Sequence, residues 1–258
     1  MNNPMYDASM KTILGTRDEQ QDCAFFRIGH KKAFAVVCDG MGGHKCGGLA
    51  SSMAAGKLLE LYEKKEPAEP NAVFFANSVD ILDEHVYSIK DDMGKRLGAG
   101  TTLVSAAIED DELSWLSVGD SRLYILRKNE FVQVTRDHNY FLELERMKRT
   151  NEISENSYKA ESVRGESLIS FIGMGGIVLM DVSHSPFKLL PHDTVLLSTD
   201  GLYKALTGDE IKHCLQNRCA QEAAMALIFE VETKAYKHQD NTTCVIIKYG
   251  GETENETH

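Results

Sequence analysis

The spacing of hydrophobic residues along the chain predicts eight strands and four helices. Alternating or continuous apolar runs rich in β-branched residues are typical of strands, and they occur at residues 33–38, 102–108, 113–118, 123–126, 131–135, 177–182, 194–198 and 243–248. Apolar residues at helical spacing, with charges on the opposite face, occur at residues 49–64, 72–93, 139–149 and 220–237. Because the helices are grouped between runs of strands, the pattern indicates an α+β fold with mainly antiparallel strands.

The length of the chain fits one large domain. With 258 residues, 42% of them hydrophobic, it can bury a sizeable core. We predict a single domain over residues 1–250 and a polar tail over residues 251–258. Residues 150–167 are polar and weakly periodic, which predicts a disordered insertion or a mobile flap that shapes substrate choice.

Charge and composition exclude several partners. The net charge of −11 argues against binding nucleic acid, whose phosphates require a basic surface, but suits a protein that binds divalent cations. No stretch has the roughly 20 apolar residues of a spanning helix, and the first residues do not resemble a secretory signal. The six cysteines lack zinc-site or redox-motif spacing, which indicates reduced thiols. We therefore expect a cytoplasmic protein without a membrane partner.

Aspartates stand where several predicted strands end. Asp39, Asp120 and Asp200 each follow an apolar strand directly and precede glycine or serine, and Asp240 precedes the last strand. Each of these aspartates alone is also typical of a turn. If the four carboxylates converge, their repulsion requires compensation, for which Mg²⁺ or Mn²⁺ are suited because they prefer oxygen ligands. A further aspartate, Asp137, is predicted to be a helix N-cap.

Residues 39–48 contain five glycines between a predicted strand and a helix. Glycine lets the backbone approach a ligand closely. The segment lacks the Gly-Lys-Ser/Thr ending of a phosphate-binding loop and the glycine spacing of a dinucleotide site. It therefore favours a turn that exposes the Asp39 carboxylate and a main-chain carbonyl to a metal. Near the start, Arg17 precedes Asp22 by five residues, and a guanidinium matches phosphate oxygens; alone, this arginine indicates only a surface charge cluster.

In their order along the chain, these motifs resemble those of the metal-dependent serine/threonine protein phosphatases of type 2C (the PPM family), especially its compact bacterial members. The match spans nearly the whole chain and includes residues 17–22, which stand as the family's Arg-x-x-Asn-x-Asp element. The other matching segments are residues 39–43, 100–102, 119–122, 135–138, 200–201 and 240–241. The resemblance implies a central sandwich of two antiparallel sheets with helices on both outer faces, in αββα layers.

The resemblance also implies a metal centre with two or three Mn²⁺ or Mg²⁺ ions. Asp39 is expected to bridge two metals, and the main-chain carbonyl of Gly40 to ligate one of them. Asp200 and Asp240 are expected to hold the other metal. Asp120 is expected to serve an additional metal that bacterial relatives contain.

Two further residues have implied roles in hydrolysing phosphoserine and phosphothreonine. Asp22 is expected to act through metal-bound water, and Arg17 to hold the substrate phosphate. Two cations that share a bridging water can lower its pKa and direct it at phosphorus, while their charges and Arg17 stabilise the transition state. No covalent phosphoenzyme is then required.

The sequence departs from the family pattern at two positions. Gln20 stands where the family usually has asparagine and retains the amide. Met41 stands where many eukaryotic members have a histidine proposed as general acid. Because a thioether cannot donate a proton, metal-bound water or another residue must be the acid. His44 lies nearby, and we interpret it as a surface residue or one outside the metal ligands.

Two other functions compete with a phosphatase. A catalytically inert regulatory scaffold is disfavoured because Asp39, Asp200 and Asp240 are all present. Another metal-dependent hydrolase, such as a nuclease or pyrophosphatase, could use the same carboxylates, although the acidic balance argues against a nuclease. The expected partners are phosphorylated proteins, which the resemblance implies are products of a serine/threonine kinase, and we expect a monomer.

Overall fold

The computed structural model describes residues 5–42 and 46–251, whose strands form two antiparallel sheets. The first sheet contains, in spatial order, β1 (Tyr6–Ile13), β12 (Thr242–Tyr249), β11 (Thr194–Ser198), β7 (Arg122–Arg127) and β8 (Glu130–Gln133). The second sheet contains β10 (Phe187–Lys188), β6 (Glu112–Val118), β5 (Leu103–Glu109), β3 (Lys32–Met41) and β2 (Asp22–Ile28). Two short strands extend the second sheet: β4 (Gly100–Thr101) pairs with β3, and β9 (Asp181–Val182) pairs with β6.

Helices cover the outer face of each sheet. The second sheet packs against α1 (Cys46–Glu63) and α2 (Asn71–Tyr87). The first sheet packs against α5 (Asp200–Tyr203), α6 (Gly208–Leu215) and α7 (Ala220–Lys234). A third hydrophobic cluster fills the space between the sheets. The four layers confirm the predicted αββα sandwich. None of the helices in the described ranges is long and apolar enough to cross a lipid bilayer.

The alternation of side chains along a strand explains why the central strands are apolar throughout. In β3, Phe34 and Val36 face the helices, whereas Ala35 and Val37 face the other sheet. Successive strand residues point to opposite faces, and both faces here are covered. A strand in this position must therefore be a continuous apolar run, which made β3 visible in the sequence.

The structure differs from the predicted elements at several places. The strands β1 and β2 were not predicted; both lie at sheet edges, where partial exposure weakens the hydrophobic pattern. Only the end of the strand predicted at residues 177–182 forms, as β9. Helix α2 ends at Tyr87 rather than at residue 93, because the Asp91 carboxylate accepts hydrogen bonds from the main-chain N–H groups of Met93 and Lys95 and so forms a turn.

The polar segment 150–167 contains regular structure. Residues 140–149 form α3 (Tyr140–Arg149), and the segment that follows contains α4 (Glu155–Glu161) and a short 3₁₀ helix, Ser162–Arg164. Ser154 caps α4 by accepting a hydrogen bond from the main-chain N–H of Ser157. No residue of α4 is buried, which explains the absence of a hydrophobic period. The polar tail predicted at residues 251–258 lies outside the described residues except for its first glycine.

A buried carboxylate attaches α2 to a glycine-rich loop. Asp83 accepts hydrogen bonds from the main-chain N–H groups of Gly173, Met174, Gly175 and Gly176, with N···O distances of 2.7, 3.0, 3.4 and 2.6 Å. Its side chain is nearly inaccessible to solvent. One side chain therefore accepts hydrogen bonds from four main-chain N–H groups, three of which belong to glycines with positive φ.

We expect Asp83→Ala to destabilise the fold by about 2–4 kcal/mol, because the variant leaves several buried N–H groups without an acceptor. This loss corresponds to an unfolding temperature lower by roughly 5–10 °C, which calorimetry would measure. Asp80→Ala, at an exposed position of the same helix, is the matched control and should leave the unfolding temperature unchanged. Equal unfolding temperatures for the two variants would contradict this account.

Candidate metal centre

Five aspartates converge where the two sheets end, and we refer to them as the acid cluster. Asp22 and Asp39 lie directly opposite each other on β2 and β3. Asp200 follows β11 with one residue between them, Asp120 lies between β6 and β7, and Asp240 precedes β12. The negative charges of the other four aspartates each raise the pKa of Asp39, after the larger effect of its burial. The structure thus brings together all five predicted aspartates.

The electrostatics of the acid cluster oppose ionisation of three of its members, Asp22, Asp39 and Asp120. Burial, with the charges of Asp200 and Asp240, raises the pKa of Asp22 to about 7, although hydrogen bonds from Thr243 and Thr199 lower it. Burial and the charge of Asp200 raise the pKa of Asp120 to about 6. Several negative charges are therefore held close together in a poorly solvated place, an arrangement that a cation would stabilise.

Two carboxylate oxygens of the acid cluster are buried without a hydrogen-bond partner, Asp22 Oδ1 and Asp200 Oδ1. The other oxygen of each carboxylate is occupied: Asp22 Oδ2 accepts from Thr199 Oγ1 at 2.9 Å, and Asp200 Oδ2 pairs with Lys204 Nζ at 2.7 Å. An unpartnered buried carboxylate oxygen is costly. Hard oxygen donors in a negative environment fit Mg²⁺ or Mn²⁺.

The acid cluster is not a closed cage. Among residues 5–42 and 46–251, no three histidine, cysteine, aspartate or glutamate side chains are already arranged as a ligand set. A site of the kind that the resemblance implies takes ligands from a main-chain carbonyl and from water as well. Each ion in such a site can therefore be bound by fewer than three carboxylates.

The segment Gly100-Thr101-Thr102 fixes the backbone of Asp39. The main-chain N–H of Asp39 donates to Thr102 Oγ1 at 3.0 Å, and the Asp39 carbonyl accepts from Thr101 Oγ1 at 2.9 Å and from Thr102 N at 2.8 Å. Thr102 is held in turn by a 2.7 Å hydrogen bond to Ser121 Oγ. These two threonines therefore position the aspartate rather than bind a ligand themselves.

Gly40 must be a glycine because α1 begins against it. A Cβ atom at Gly40 would lie 2.0 Å from the main-chain oxygen of Gly47 and 2.7 Å from that of Gln21. The glycine-rich turn thus brings the start of α1 against β3, as its composition suggested. Gly43 and His44, and with them our interpretation of His44, lie outside the described residues.

Arg17 lies at the rim of the acid cluster. Its Nη2 atom is 2.6 Å from Asp240 Oδ2, and 59% of its side chain is exposed to solvent. Both ends of the Gln20 amide are hydrogen-bonded, since Oε1 accepts from the main-chain N–H of Asp22 and Nε2 donates to Thr12 Oγ1 and to the main-chain oxygen of Ile13. The substitution of glutamine for the usual asparagine therefore preserves a hydrogen-bonding role beside Asp22.

Asp137 is not a helix N-cap, contrary to our prediction; Asn139 occupies that position. The Asp137 carboxylate instead accepts two hydrogen bonds from Arg122, at 2.9 and 2.6 Å. The Arg122 guanidinium lies 3.4 Å from the centre of the Tyr203 ring, and Tyr203 Oη donates to the main-chain oxygen of Asp120. Asp137 therefore supports Asp120 through two intermediates.

Two residues beside the acid cluster were missed in the sequence. Thr199 binds Asp22, and Lys204 binds Asp200. The only sequence signals were a hydroxyl directly before Asp200 and a lysine four residues after it, which is the spacing of an ion pair on a helix. Neither signal identifies its partner without the fold.

A cavity of about 1020 Å³ lies elsewhere, lined by residues that include Arg127, Thr194 and Lys248. These residues stand at the ends of β7, β11 and β12 that are remote from the acid cluster. This cavity is therefore separate from the acid cluster. The acid cluster is the candidate metal centre on chemical grounds, because converging carboxylates occur there together with unpartnered buried oxygens.

Comparison with known proteins agrees with this chemistry. The family model described as protein phosphatase 2C matches residues 6–152. A serine/threonine phosphatase stp of Listeria welshimeri is 30% identical over 216 residues, which are 83% of this chain and 83% of that protein. The protein phosphatase PhpP of Streptococcus pneumoniae is 29% identical over 183 residues, which are 70% of this chain and 72% of that protein.

Solved structures show the same fold. A serine/threonine phosphatase of S. agalactiae superposes with a TM-score of 0.79 at 24% identity, covering 94% of this chain and 98% of that one. The catalytic domain of the phosphatase PstP in complex with two manganese ions has a TM-score of 0.75 at 23% identity, covering 94% of this chain and 97% of that one. With its matching family model, its relatives and its acid cluster, the chain belongs to the protein phosphatase 2C family of metal-dependent serine/threonine protein phosphatases.

Proposed function

We propose that the acid cluster is the active centre of this phosphatase and that it holds two divalent cations, Mn²⁺ or Mg²⁺. The proposed ligands are Asp39, Asp200, Asp240 and the main-chain carbonyl of Gly40, with Asp22 acting through water. The observation that carries the proposal is the pair of buried, unpartnered oxygens, Asp22 Oδ1 and Asp200 Oδ1, within a cluster of mutually repelling carboxylates. Asp120 is not one of the proposed ligands.

Residues around the acid cluster prepare it for phosphate ester hydrolysis. When bound, divalent cations supply positive charge to the phosphate oxygens and make water a better nucleophile. Thr101 and Thr102 hold Asp39, and Thr199 holds one oxygen of Asp22 and leaves the other, Oδ1, without a partner. Pre-organised groups of this kind do not have to rearrange during the reaction.

Arg17 binds the substrate phosphate in this proposal. Its guanidinium is exposed but restrained by Asp240, so that several donors remain available to a phosphoryl oxygen. Met41 follows Gly40 in β3 and has no proton to donate. The proton for the leaving serine or threonine oxygen therefore comes from water or from another residue.

The substrates are phosphoproteins, and we propose that a serine/threonine kinase produces them. We also propose that the protein acts in the cytoplasm as a monomer, without binding membrane or nucleic acid. All six cysteines are free thiols, which suits a reducing compartment. The net charge of −11 is unfavourable for binding nucleic acid.

The experiment that tests the proposal is release of phosphate from a phosphothreonine peptide with added Mn²⁺, with and without chelator. We expect turnover that requires the metal and that stops when it is removed. Nucleotide and pyrophosphate substrates in the same assay distinguish another metal-dependent hydrolase. A protein that releases no phosphate with any divalent metal would instead be an inert scaffold.

We expect Arg17→Ala to reduce kcat/KM for the peptide by about 10- to 100-fold, mainly through KM, because one charged phosphate contact is lost. Arg17→Lys should recover part of this loss, since it restores the charge without the paired donors. Arg27→Ala is the matched control, because Arg27 is similarly exposed but contacts Glu63 instead of the acid cluster. Identical kinetics for Arg17→Ala and the control would remove Arg17 from the proposed site.

A further inference from the structure

A lysine that the family resemblance does not predict lies within the acid cluster. Lys204 follows α5, and its Nζ atom is 2.7 Å from Asp200 Oδ2 and 3.2 Å from Glu166 Oε2. The two contacts differ in strength, because the Asp200 side chain is only 13% exposed whereas that of Glu166 is 70% exposed. An exposed ion pair contributes little, so Asp200 is the main partner of the ammonium group.

The charge of Lys204 also reaches Asp120. Tyr203, the residue directly before Lys204, donates a hydrogen bond from Oη to the main-chain oxygen of Asp120 at 3.0 Å and so holds this part of the chain beside Asp120. Burial and the charge of Asp200 raise the pKa of Asp120, and the charge of Lys204 opposes them. The contact with Asp200 and the effect on Asp120 place the ammonium group where it stabilises both carboxylates. Its contact with Asp200 Oδ2 is close enough to compete with a metal ion for that oxygen.

The two parts of the acid cluster therefore differ in how far a positively charged side chain compensates their negative charge. Asp22 has a buried, unpartnered carboxylate oxygen, and no lysine or arginine contacts the carboxylate of Asp22 or Asp39 among the residues that the structure describes. Near Asp120 and Asp200, a covalently attached ammonium group already supplies positive charge. A divalent cation beside Asp120 would be repelled by this ammonium group and would compete with it for Asp200 Oδ2.

We propose that Lys204 takes the place of an additional divalent cation beside Asp120, so that the acid cluster of this chain binds two cations and not three. This inference rests on the proposed two-cation function. It makes Lys204 a positioning residue, which holds Asp200 Oδ2 and leaves Asp200 Oδ1 free for a cation. It also explains how Asp120 can be retained without serving a metal.

The test is the number of Mn²⁺ ions bound by the full chain, measured by equilibrium dialysis and by electron paramagnetic resonance of free Mn²⁺. We expect two ions per chain for the unmodified protein and a third for Lys204→Met, with the third ion binding at least 10-fold more tightly than any additional ion binds the unmodified protein. The double variant Lys204→Met with Asp120→Asn should return to two. Lys212→Met, on α6 and paired with Asp209, is the control and should bind two.

A second readout does not depend on counting sites. In chelator, Lys204→Met should unfold at a lower temperature than the unmodified protein, because the variant leaves the charges of Asp120 and Asp200 uncompensated. Added Mn²⁺ should raise the unfolding temperature of Lys204→Met by more than it raises that of the unmodified protein. Lys204→Gln provides the same comparison if the methionine variant does not fold.

The outcomes separate this inference from the proposed function. Metal-dependent hydrolysis with the same number of bound ions in the unmodified protein and in Lys204→Met would overturn the inference and leave the phosphatase centre intact. Three ions bound to the unmodified protein would overturn it as well. A protein that neither binds Mn²⁺ nor releases phosphate would overturn both.

Discussion

Asp39→Asn is expected to reduce turnover of a phosphothreonine peptide by about 10³-fold or more while making the protein more resistant to heat in chelator. The loss of activity follows from the proposed role of this carboxylate as the ligand shared between two cations. The gain in stability follows from the raised pKa of Asp39, which burial and four neighbouring aspartates cause. A raised pKa in an acid means that its ionised form opposes folding, and asparagine has no such charge.

Two measurements check this prediction, phosphate release with Mn²⁺ and thermal unfolding in chelator. We expect the unfolding temperature of Asp39→Asn to be about 2–4 °C above that of the unmodified protein in chelator, and the order to reverse when saturating Mn²⁺ stabilises only the intact site. Asp92→Asn, at an exposed position, is the control and should change neither quantity. Full activity of Asp39→Asn would show that the metal centre lies elsewhere.

Gly40→Ala is expected to destabilise the protein by more than about 3 kcal/mol and to abolish phosphate release. The added Cβ would lie 2.0 Å from the main-chain oxygen of Gly47, and backbone cannot move aside as a flexible side chain can. Relief of this clash would shift the start of α1 or the end of β3. Either shift displaces the Gly40 carbonyl, which we propose to be a metal ligand.

The matched control for this variant is Gly56→Ala, in the middle of α1, where no atom lies within 4 Å of the added Cβ. We expect this control to gain about 0.5–1 kcal/mol, because alanine is the better helix former. Circular dichroism during thermal unfolding would give both values. If Gly40→Ala were as stable as Gly56→Ala, the close approach of α1 to β3 would be wrong.

Elements buried on both sides were predicted well from the sequence, whereas the two edge strands β1 and β2 were not. Strand β11 was located at its observed bounds because all five of its residues are buried. Strand β1 escaped prediction because it lies at a sheet edge and only Tyr6 is buried in it. The pattern of hydrophobic residues along a sequence reflects which residues are buried. An exposed edge strand, or an exposed helix such as α4, therefore has no clear hydrophobic pattern.

The acids of the proposed metal centre could be predicted because each stands at a strand end, a local property of the sequence. Most of the residues that hold them could not, since their contacts, apart from that of Lys204, join distant parts of the chain. Thr199 donates to Asp22 across 177 positions, and Asp137 contacts Arg122 on a neighbouring strand instead of capping the helix beside it. In the second case the local signal was misleading, because a long-range ion pair outweighed a turn preference.

The acid cluster takes its members from both sheets. Asp22 and Asp39 belong to strands of the second sheet, whereas Asp200 and Asp240 adjoin strands of the first. A cation bound by these groups, as we propose, would cross-link the two sheets of the sandwich at one end. Metal binding would then be coupled to the separation of the sheets: a force that separates them at that end would weaken metal binding, and removal of the metal would allow that end to open first.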